Sequence, residues 1–167
     1  MELIFLPDFR FEKFNDVTPE FLASLGIKGI ILDVDNTLEP YEHPTPGAHV
    51  IAWLESLKAA GIKTAIVSNN GWERVNLFNK DIGMPAIARA KKPFKTNVLR
   101  AMELLSADKE HTIFIGDQIL TDVLAAHNAG IRAILVPPIN DRRDPFTKFK
   151  RLLERPFIKK YEKRAGK

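Results

Sequence analysis

The chain has 167 residues, of which 45% are hydrophobic and 28% charged, which predicts one globular domain with a sizeable core and excludes a disordered chain. The formal net charge of +4 is unevenly distributed, because residues 141 to 167 carry 11 basic and 4 acidic side chains and residues 1 to 140 carry −3. The absence of cysteine excludes a disulfide framework and a cysteine nucleophile or metal ligand, and is typical of proteins in a reducing cytoplasm.

Residues 1 to 27 form a lead-in to the domain. The run MELIFLPDFRFEKF contains Pro7 and mixed charges, which is the pattern of neither a signal peptide nor a membrane-spanning helix. Thr18 and Pro19 predict the start of a short helix that ends near Gly26. We therefore expect a soluble, cytoplasmic protein.

Short apolar runs alternate with helical patterns along the next hundred residues. Four β-branched runs predict strands covered on both faces, at residues 28 to 34, 62 to 67, 112 to 116 and 131 to 136, with a weaker fifth at 85 to 88. Helical spacing of apolar residues occurs at 47 to 60, 94 to 106 and 121 to 129. This alternation predicts right-handed crossovers and a mainly parallel sheet flanked by helices, a Rossmann-like α/β fold.

The chain has no repeat, low-complexity segment or Gly/Ser linker that would divide it. We therefore predict a single domain over residues 1 to 167, with its core at 28 to 136 and a basic extension at 137 to 167.

Polar side chains follow three of the predicted strands at the points where the strands end: Asp33 and Asp35, Ser68 and Asn69, and Asp117 and Asp122. A turn in which the aspartates bond nearby amides explains the first pair equally well when it is taken alone. Active sites of open α/β sheets, however, lie beyond the carboxyl ends of the strands, where all three groups are expected to meet. Together they predict a functional site.

The residue types in this set predict a phosphate site with a magnesium ion. Carboxylate oxygens without histidine or cysteine favour Mg²⁺ over zinc, and Asp33 and Asp117 are the expected direct ligands. Ser68, the donors at Asn69, and Lys92 are expected to bind the phosphoryl oxygens. Lys91 is an alternative to Lys92, but the position of Lys92 directly before Pro93 favours Lys92.

Two aspartates separated by one residue can divide the chemistry of phosphate transfer. We expect Asp33 to attack phosphorus and form an aspartyl phosphate, and Asp35 to protonate the leaving oxygen and then activate water. The sequence thus predicts an enzyme that hydrolyses phosphomonoesters.

The same residues resemble the motifs of the haloacid dehalogenase superfamily over residues 28 to 136. Asp33-Val34-Asp35-Asn36-Thr37 is similar to the first motif, Ser68 to the second, Lys92 to the third and GDQILTD to the acidic fourth. The resemblance implies a magnesium-dependent phosphatase in which the backbone carbonyl of Asp35 also binds metal and Asp122 supports the ion. The short gaps at 39 to 61 and 71 to 91 imply a core without a cap domain.

Further segments, LPD, GIKGIILDVDNTLEP, SNN and ARAKKP, look like the YqeG-like branch of subfamily IIIA. That branch is similar to the mitochondrial phosphatidylglycerophosphate phosphatase. The resemblance implies a lipid phosphate, or another large phosphorylated molecule, as the substrate.

Two interpretations of the basic extension remain open. Its cations and interleaved aromatic residues suit peripheral contact with an anionic inner membrane surface. The same pattern suits a terminal helix that packs its aromatic residues on the sheet and leaves its charges in water. No nucleic-acid partner is expected, because no DNA-reading or RNA-reading motif accompanies the charges.

The alternative to an enzyme is a non-catalytic phosphate-binding or assembly protein with the same fold, such as a receiver domain. Receivers carry paired acids on the first strand and accept phosphate on the third. Here the candidate nucleophile precedes the serine and lysine, and Asp35 is present to hydrolyse the adduct, which favours the enzyme.

Overall fold

A parallel sheet of six strands forms the centre of the computed structural model, which describes residues 2 to 140 and 145 to 166. The strands are β1 (Phe9–Arg10), β2 (Gly29–Leu32), β3 (Lys63–Val67), β4 (Ala86–Ile87), β5 (Thr112–Gly116) and β6 (Arg132–Leu135). Their order across the sheet is β1-β6-β5-β2-β3-β4, and every neighbouring pair is parallel. The predicted α/β class is confirmed.

Helices connect and cover these strands. They are α1 (Pro19–Ser24), α2 (Ala48–Ala59), α3 (Trp72–Asn79), α4 (Thr96–Leu105), α5 (Leu124–Ala129) and α6 (Pro145–Arg164). Short 3₁₀ helices occupy Glu2–Phe5 and Phe14–Asp16, and a π-helix at Ile119–Val123 precedes α5. No helix in the described ranges combines the length and apolarity needed to cross a bilayer.

The central strand β2 shows why both faces of the sheet need covering. Ile30 and Leu32 pack in a core shared with α1 and α2, whereas Ile31 packs on the opposite face with residues of α4 and α5. All three side chains are fully buried, because successive residues of a strand point to opposite faces. Helices on both faces thus exclude water from the middle of the sheet.

The order of the strands creates a crevice beside β2. From β2 the chain continues to β3 and β4 on one side, and then crosses to β5 and β6 on the other. The loops that follow β2 and β5 therefore leave the carboxyl edge of the sheet in opposite directions. The crevice between two such loops is where α/β sheets bind ligands.

The structure matches the predicted strands and helices within a few residues, and besides the two 3₁₀ helices it adds one strand and one α-helix that the prediction missed. The edge strand β1 has only two residues, too few for a recognisable alternation. Helix α3 begins directly after the polar SNNG segment, and its sequence WERVNLFN mixes polar and apolar residues without a clear helical pattern. The predicted start of α1 is confirmed, since the Thr18 hydroxyl accepts a hydrogen bond from the Phe21 N–H over 3.2 Å.

His127 joins α5 to the N-terminal segment through both of its ring nitrogens. Nδ1 lies 2.7 Å from the Ile4 carbonyl oxygen, and Nε2 lies 2.9 Å from Asp8 Oδ2. The hydrogen bond to Asp8 raises the pKa of His127, although burial opposes this shift. Because both neighbours are acceptors, the doubly protonated ring satisfies both contacts.

Replacing His127 by alanine is expected to destabilise the protein in a pH-dependent way. A raised folded-state pKa contributes stability that is complete below about pH 6.5 and is lost as the pH rises through the folded pKa. His127→Ala should therefore lower the free energy of unfolding by about 1 kcal/mol near pH 6, and by less near pH 9, as measured by urea denaturation.

Asp8→Asn provides the control for this prediction, since it removes the charged partner and leaves the imidazole. It should reduce the same pH dependence. An equal loss of stability at both pH values in His127→Ala would contradict the ion pair.

Candidate active site

Three buried aspartates meet at the carboxyl edge of the sheet. Asp33 follows β2, Asp117 follows β5, and Asp122 lies in the π-helix. One carboxylate oxygen of each lies within 4.8 Å of the others. The hydroxyl of Thr37 joins two of them, donating to Asp117 Oδ1 over 3.0 Å and lying 3.4 Å from Asp33 Oδ2. The structure thus brings three predicted residues into one acidic cluster.

Lys92, in the loop that follows β4, neutralises part of this negative charge. Its Nζ donates to Asp33 Oδ1 over 2.8 Å and to Asp122 Oδ1 over 2.7 Å, and its side chain is only 2% exposed. Burial alone would lower the pKa of Lys92, but the carboxylates of Asp122 and Asp33 raise it above its usual value. Lys91 is exposed, so of the two candidate lysines Lys92 enters the site.

The backbone around Asp122 explains how this carboxylate reaches the cluster. Asp122 Oδ2 accepts hydrogen bonds from the N–H groups of Asp117 and Gln118, over 3.1 and 3.0 Å. A Cβ atom at Gly116 would collide with the Asp122 side chain, so the absence of a side chain at Gly116 permits this close approach. The π-helix brings Asp122 back over the end of β5, and such helices often occur at functional sites.

Burial changes the acidity of the two aspartates beyond β5. It raises the pKa of Asp117 to about 7, because Arg151 only partly opposes the effects of burial and of the neighbouring Asp122 and Asp33. Burial also raises the pKa of Asp122 above its ordinary value, against the opposing effect of Lys92. Like charges at close range and low solvation act in the same direction.

Asp35 makes different contacts from Asp33. Its carboxylate accepts hydrogen bonds from the Asn70 side-chain amide and from Arg74 Nε, the latter over 3.0 Å. Arg74 also donates to the carbonyl oxygens of His43 and Pro44, over 3.0 and 2.8 Å. The guanidinium of α3 therefore fixes Asp35 to the loop that precedes α2.

Ser68 and Asn69 follow β3 as predicted, but their contacts differ. Ser68 is buried and its hydroxyl accepts a hydrogen bond from the Asn70 N–H over 3.1 Å. The Asn69 amide clamps the backbone of Lys92, accepting from its N–H over 2.7 Å and donating to its carbonyl over 3.3 Å. Asn69 therefore positions the loop that carries Lys92.

Six of the predicted site residues line a small polar cavity of about 130 Å³, whereas Asp117 is not among its lining residues. Its lining includes Asp33, Asp35, Ser68, Asn69, Lys92 and Asp122. Gln118 also lines it, and the Gln118 Oε1 atom is buried without a hydrogen-bond partner among the described residues. A buried acceptor of this kind is costly unless a ligand or water satisfies it.

The chemistry of the cluster fits a magnesium ion. Asp33, Asp117 and Asp122 offer hard oxygen ligands with no histidine or cysteine among them, which is the donor set that Mg²⁺ prefers.

Helix α6 closes one side of the site, through residues that sequence reasoning did not single out. Arg151 forms an ion pair with Asp117 Oδ2 and also donates to the Asp117 carbonyl oxygen. The Glu154 side chain is buried, with the residue only 1% exposed. It accepts a hydrogen bond from the Leu120 N–H over 2.9 Å, and it lies 3.3 Å from Arg151 Nη1. Thr147 and Lys150 line the cavity. In the sequence these residues stand among many similar charges and carry no local signal.

The fold and this site define a hydrolase of a known α/β family. Residues 27 to 136 match the model of the haloacid dehalogenase-like hydrolase family, and the chain belongs to this family.

Two curated relatives make the similarity more specific. The probable phosphatase YqeG of Bacillus subtilis (strain 168) is 41% identical over 155 residues, which are 93% of this chain and 90% of the relative. The chloroplastic phosphatidylglycerophosphate phosphatase 1 of Chlamydomonas reinhardtii is 25% identical over 134 residues, 75% of this chain and 50% of that protein. These findings confirm the predicted superfamily and the predicted phosphatase class of enzyme.

Solved structures agree on the fold. A HAD-superfamily hydrolase from Ehrlichia chaffeensis superposes with a TM-score of 0.55 at 18% identity, covering 76% of this chain and 97% of that one.

Glu154→Ala is expected to loosen the attachment of α6. The substitution removes the acceptor for the Leu120 N–H and for Arg151, and it should lower the free energy of unfolding by about 1 to 3 kcal/mol. Denaturant unfolding measures the loss, and amide hydrogen exchange should be faster throughout α6.

Glu103→Ala is the matched control, because Glu103 is exposed on α4. It should change stability by no more than about 0.5 kcal/mol. Unchanged stability and exchange in Glu154→Ala would show that the buried carboxylate does not hold α6 in place.

Proposed function

We propose that the protein is a magnesium-dependent phosphomonoesterase that works through a covalent phosphoryl intermediate on Asp33. The difference between the contacts of Asp33 and those of Asp35 supports this most strongly. Asp33 belongs to the cluster with Lys92, whereas Asp35 is held by Asn70 and Arg74, and both aspartates line the same cavity.

In the first step a carboxylate oxygen of Asp33 attacks phosphorus and the bond from phosphorus to the leaving oxygen breaks. Lys92 and Ser68 stabilise the negative charge on the phosphoryl oxygens, and Asn69 holds the Lys92 backbone in place. Asp35 gives a proton to the leaving oxygen, so that the alcohol departs neutral.

In the second step water attacks the phosphorus of the aspartyl phosphate. Asp35, now a carboxylate, removes a proton from that water, and inorganic phosphate leaves as Asp33 is restored. Arg74 serves as a positioning residue here, since its contacts with Asp35 and with two backbone carbonyls fix the orientation of this base.

The carboxylates of Asp33 and Asp117, with the Asp35 backbone carbonyl, would hold the magnesium ion. Asp122 supports the cluster through Lys92 and the backbone N–H groups beyond β5. When bound, the ion offsets the negative charge of phosphate and carboxylates, which would otherwise repel one another. Arg151 is a second cation that already offsets the charge of Asp117.

The substrate that we propose is a phosphomonoester with a large leaving group, with phosphatidylglycerophosphate as the specific candidate. The polar cavity has about 130 Å³, enough for little beyond the phosphoryl group and its ligands. The similarity to a phosphatidylglycerophosphate phosphatase supports a lipid phosphate.

Asp33→Asn is expected to abolish phosphate release, because an amide oxygen cannot act as the nucleophile. Release should be measured with p-nitrophenyl phosphate, nucleotides, sugar phosphates and phosphatidylglycerophosphate, in magnesium and in chelator. We expect activity in magnesium only, a loss of about 10³-fold or more in the variant, and the highest kcat/KM for the lipid phosphate.

Asp81→Asn, a change of an exposed acid in the loop before β4, is the matched control and should retain full activity. If folded wild-type protein released no phosphate from any of these compounds, a binding or assembly role would replace the proposed hydrolysis.

Arg74→Ala is expected to lower kcat by about 10- to 100-fold with little change in KM, because the variant leaves Asp35 free to rotate away from the leaving oxygen. Arg100→Ala, at an exposed position of α4, should leave both kinetic parameters unchanged. An unchanged kcat in Arg74→Ala, or an equal change in kcat and KM, would show that Arg74 does not position the base.

A further inference from the structure

The solvent-facing side of helix α6 is unusually apolar. Four large apolar side chains are about half exposed or more: Phe146 at 68%, Phe149 at 56%, Leu152 at 54% and Leu153 at 45%. At helical spacing these residues form one stripe along the first half of the helix. Of the two interpretations of the extension, packing of its aromatic residues on the sheet does not apply to Phe146 and Phe149.

Basic residues flank this stripe. Lys148, Arg155, Lys159 and Lys163 are all exposed, and helical periodicity places them together beside the apolar side chains. Residues 145 to 164 contain 8 basic and 2 acidic residues. The outer side of α6 therefore combines exposed hydrocarbon with positive charge.

Both acids of α6 are turned to the protein. Glu154 is buried against Leu120 and Arg151, and Glu162 forms an ion pair with Arg10 of β1. In the first half of α6 the usual polarity of a surface helix is thus reversed, since polar contacts lie inside and large apolar side chains lie outside. In the second half, Phe157 and Ile158 pack against the core.

We propose that this outer side of α6, the docking face, binds to an anionic lipid bilayer. An amphipathic helix with leucine and phenylalanine beside lysine and arginine lies in the membrane interface, where apolar side chains enter the acyl region and cations contact anionic headgroups. Each basic residue near such a surface adds to the attraction.

Charge and side-chain type favour a bilayer over other partners. Two copies of the docking face would bring like charges together, which opposes a dimer through this surface. Leu152 and Leu153 are aliphatic and gain little from a nucleic acid, whose backbone offers phosphate and whose bases favour aromatic stacking. Acyl chains and anionic headgroups match both features of the face.

Docking through α6 would bring the proposed active site close to the lipid surface. Lys150 and Thr147, from the first turns of this helix, line the cavity that contains Asp33. A helix is about 10 Å across with its side chains, so the mouth of the site would lie roughly that far from the headgroups. The placement of the active site near the lipid surface extends the proposal of a lipid substrate and rests on it. Binding of α6 to the membrane does not depend on that proposal.

Sedimentation of the full chain with vesicles tests the docking face. The wild-type protein should bind vesicles containing phosphatidylglycerol, bind pure phosphatidylcholine vesicles at least about tenfold more weakly, and lose affinity as salt increases. Phe149→Ser/Leu152→Ser should weaken binding about tenfold or more. Lys148→Glu/Lys159→Glu should do the same through charge.

Matched controls carry the same changes elsewhere on the surface. Leu77→Ser/Leu104→Ser alters two leucines that are 44% and 51% exposed on α3 and α4. Lys58→Glu/Lys80→Glu alters two exposed lysines away from α6. Both controls should bind like the wild type.

Several results would overturn the docking face. These are equal binding to neutral and anionic vesicles, docking-face variants that bind like their controls, and a preference for an oligonucleotide over any vesicle. Thermal unfolding shows whether each variant is folded. This check does not depend on enzymatic activity. Hydrolysis of p-nitrophenyl phosphate should be equal in wild type and Phe149→Ser/Leu152→Ser. If the proposed function is wrong, the wild-type protein will show no turnover and will still bind vesicles.

Discussion

Four carboxylates are buried at one edge of a parallel sheet, and the surrounding cations and N–H groups compensate for their negative charge. Asp33, Asp35, Asp117 and Asp122 are each no more than 6% exposed, although burial and mutual repulsion disfavour the charged forms. Each has a cationic or N–H partner. Lys92 bridges two of them, and arginines from α3 and α6 pair with the other two. The cluster is therefore stable only while loops from four different parts of the chain remain in place.

This arrangement gives chemically similar aspartates different surroundings. Asp33 lies among carboxylates and an ammonium group, which suits a nucleophile that must accept a phosphoryl group beside a cation. Asp35, two residues later, is held by the arginine of α3 and by the side-chain amide of Asn70. The chain turns directly after this pair, where Asn36 adopts a left-handed φ of 63°. A single short segment thus supplies both groups that the proposed hydrolysis requires.

Helix α6 links the interior of the site to the outer surface. Its inward side contributes Arg151 and Glu154 to the edge of the cluster and Lys150 to the cavity. Its outward side carries the exposed apolar stripe and positive charge. A segment that looked like a simple basic extension in the sequence is therefore part of the wall of the site.

The sequence by itself determined the α/β class, the family, and the positions of Asp33, Asp35, Ser68, Lys92, Asp117 and Asp122, because strand patterns and motif spacing are local properties of the chain. Its ordering of strands and helices also placed these residues at one edge of the sheet. Only the tertiary structure assigned Arg74 to Asp35, Asn69 to the Lys92 backbone, and Arg151 to Asp117. Those contacts join residues about 20 to 40 positions apart, and charged or amide side chains at such distances have no periodic signal. Which side of α6 faces the protein was decided in the same way, by the contacts of Arg151 and Glu154 with the site and by the packing of Phe157 and Ile158 on the core.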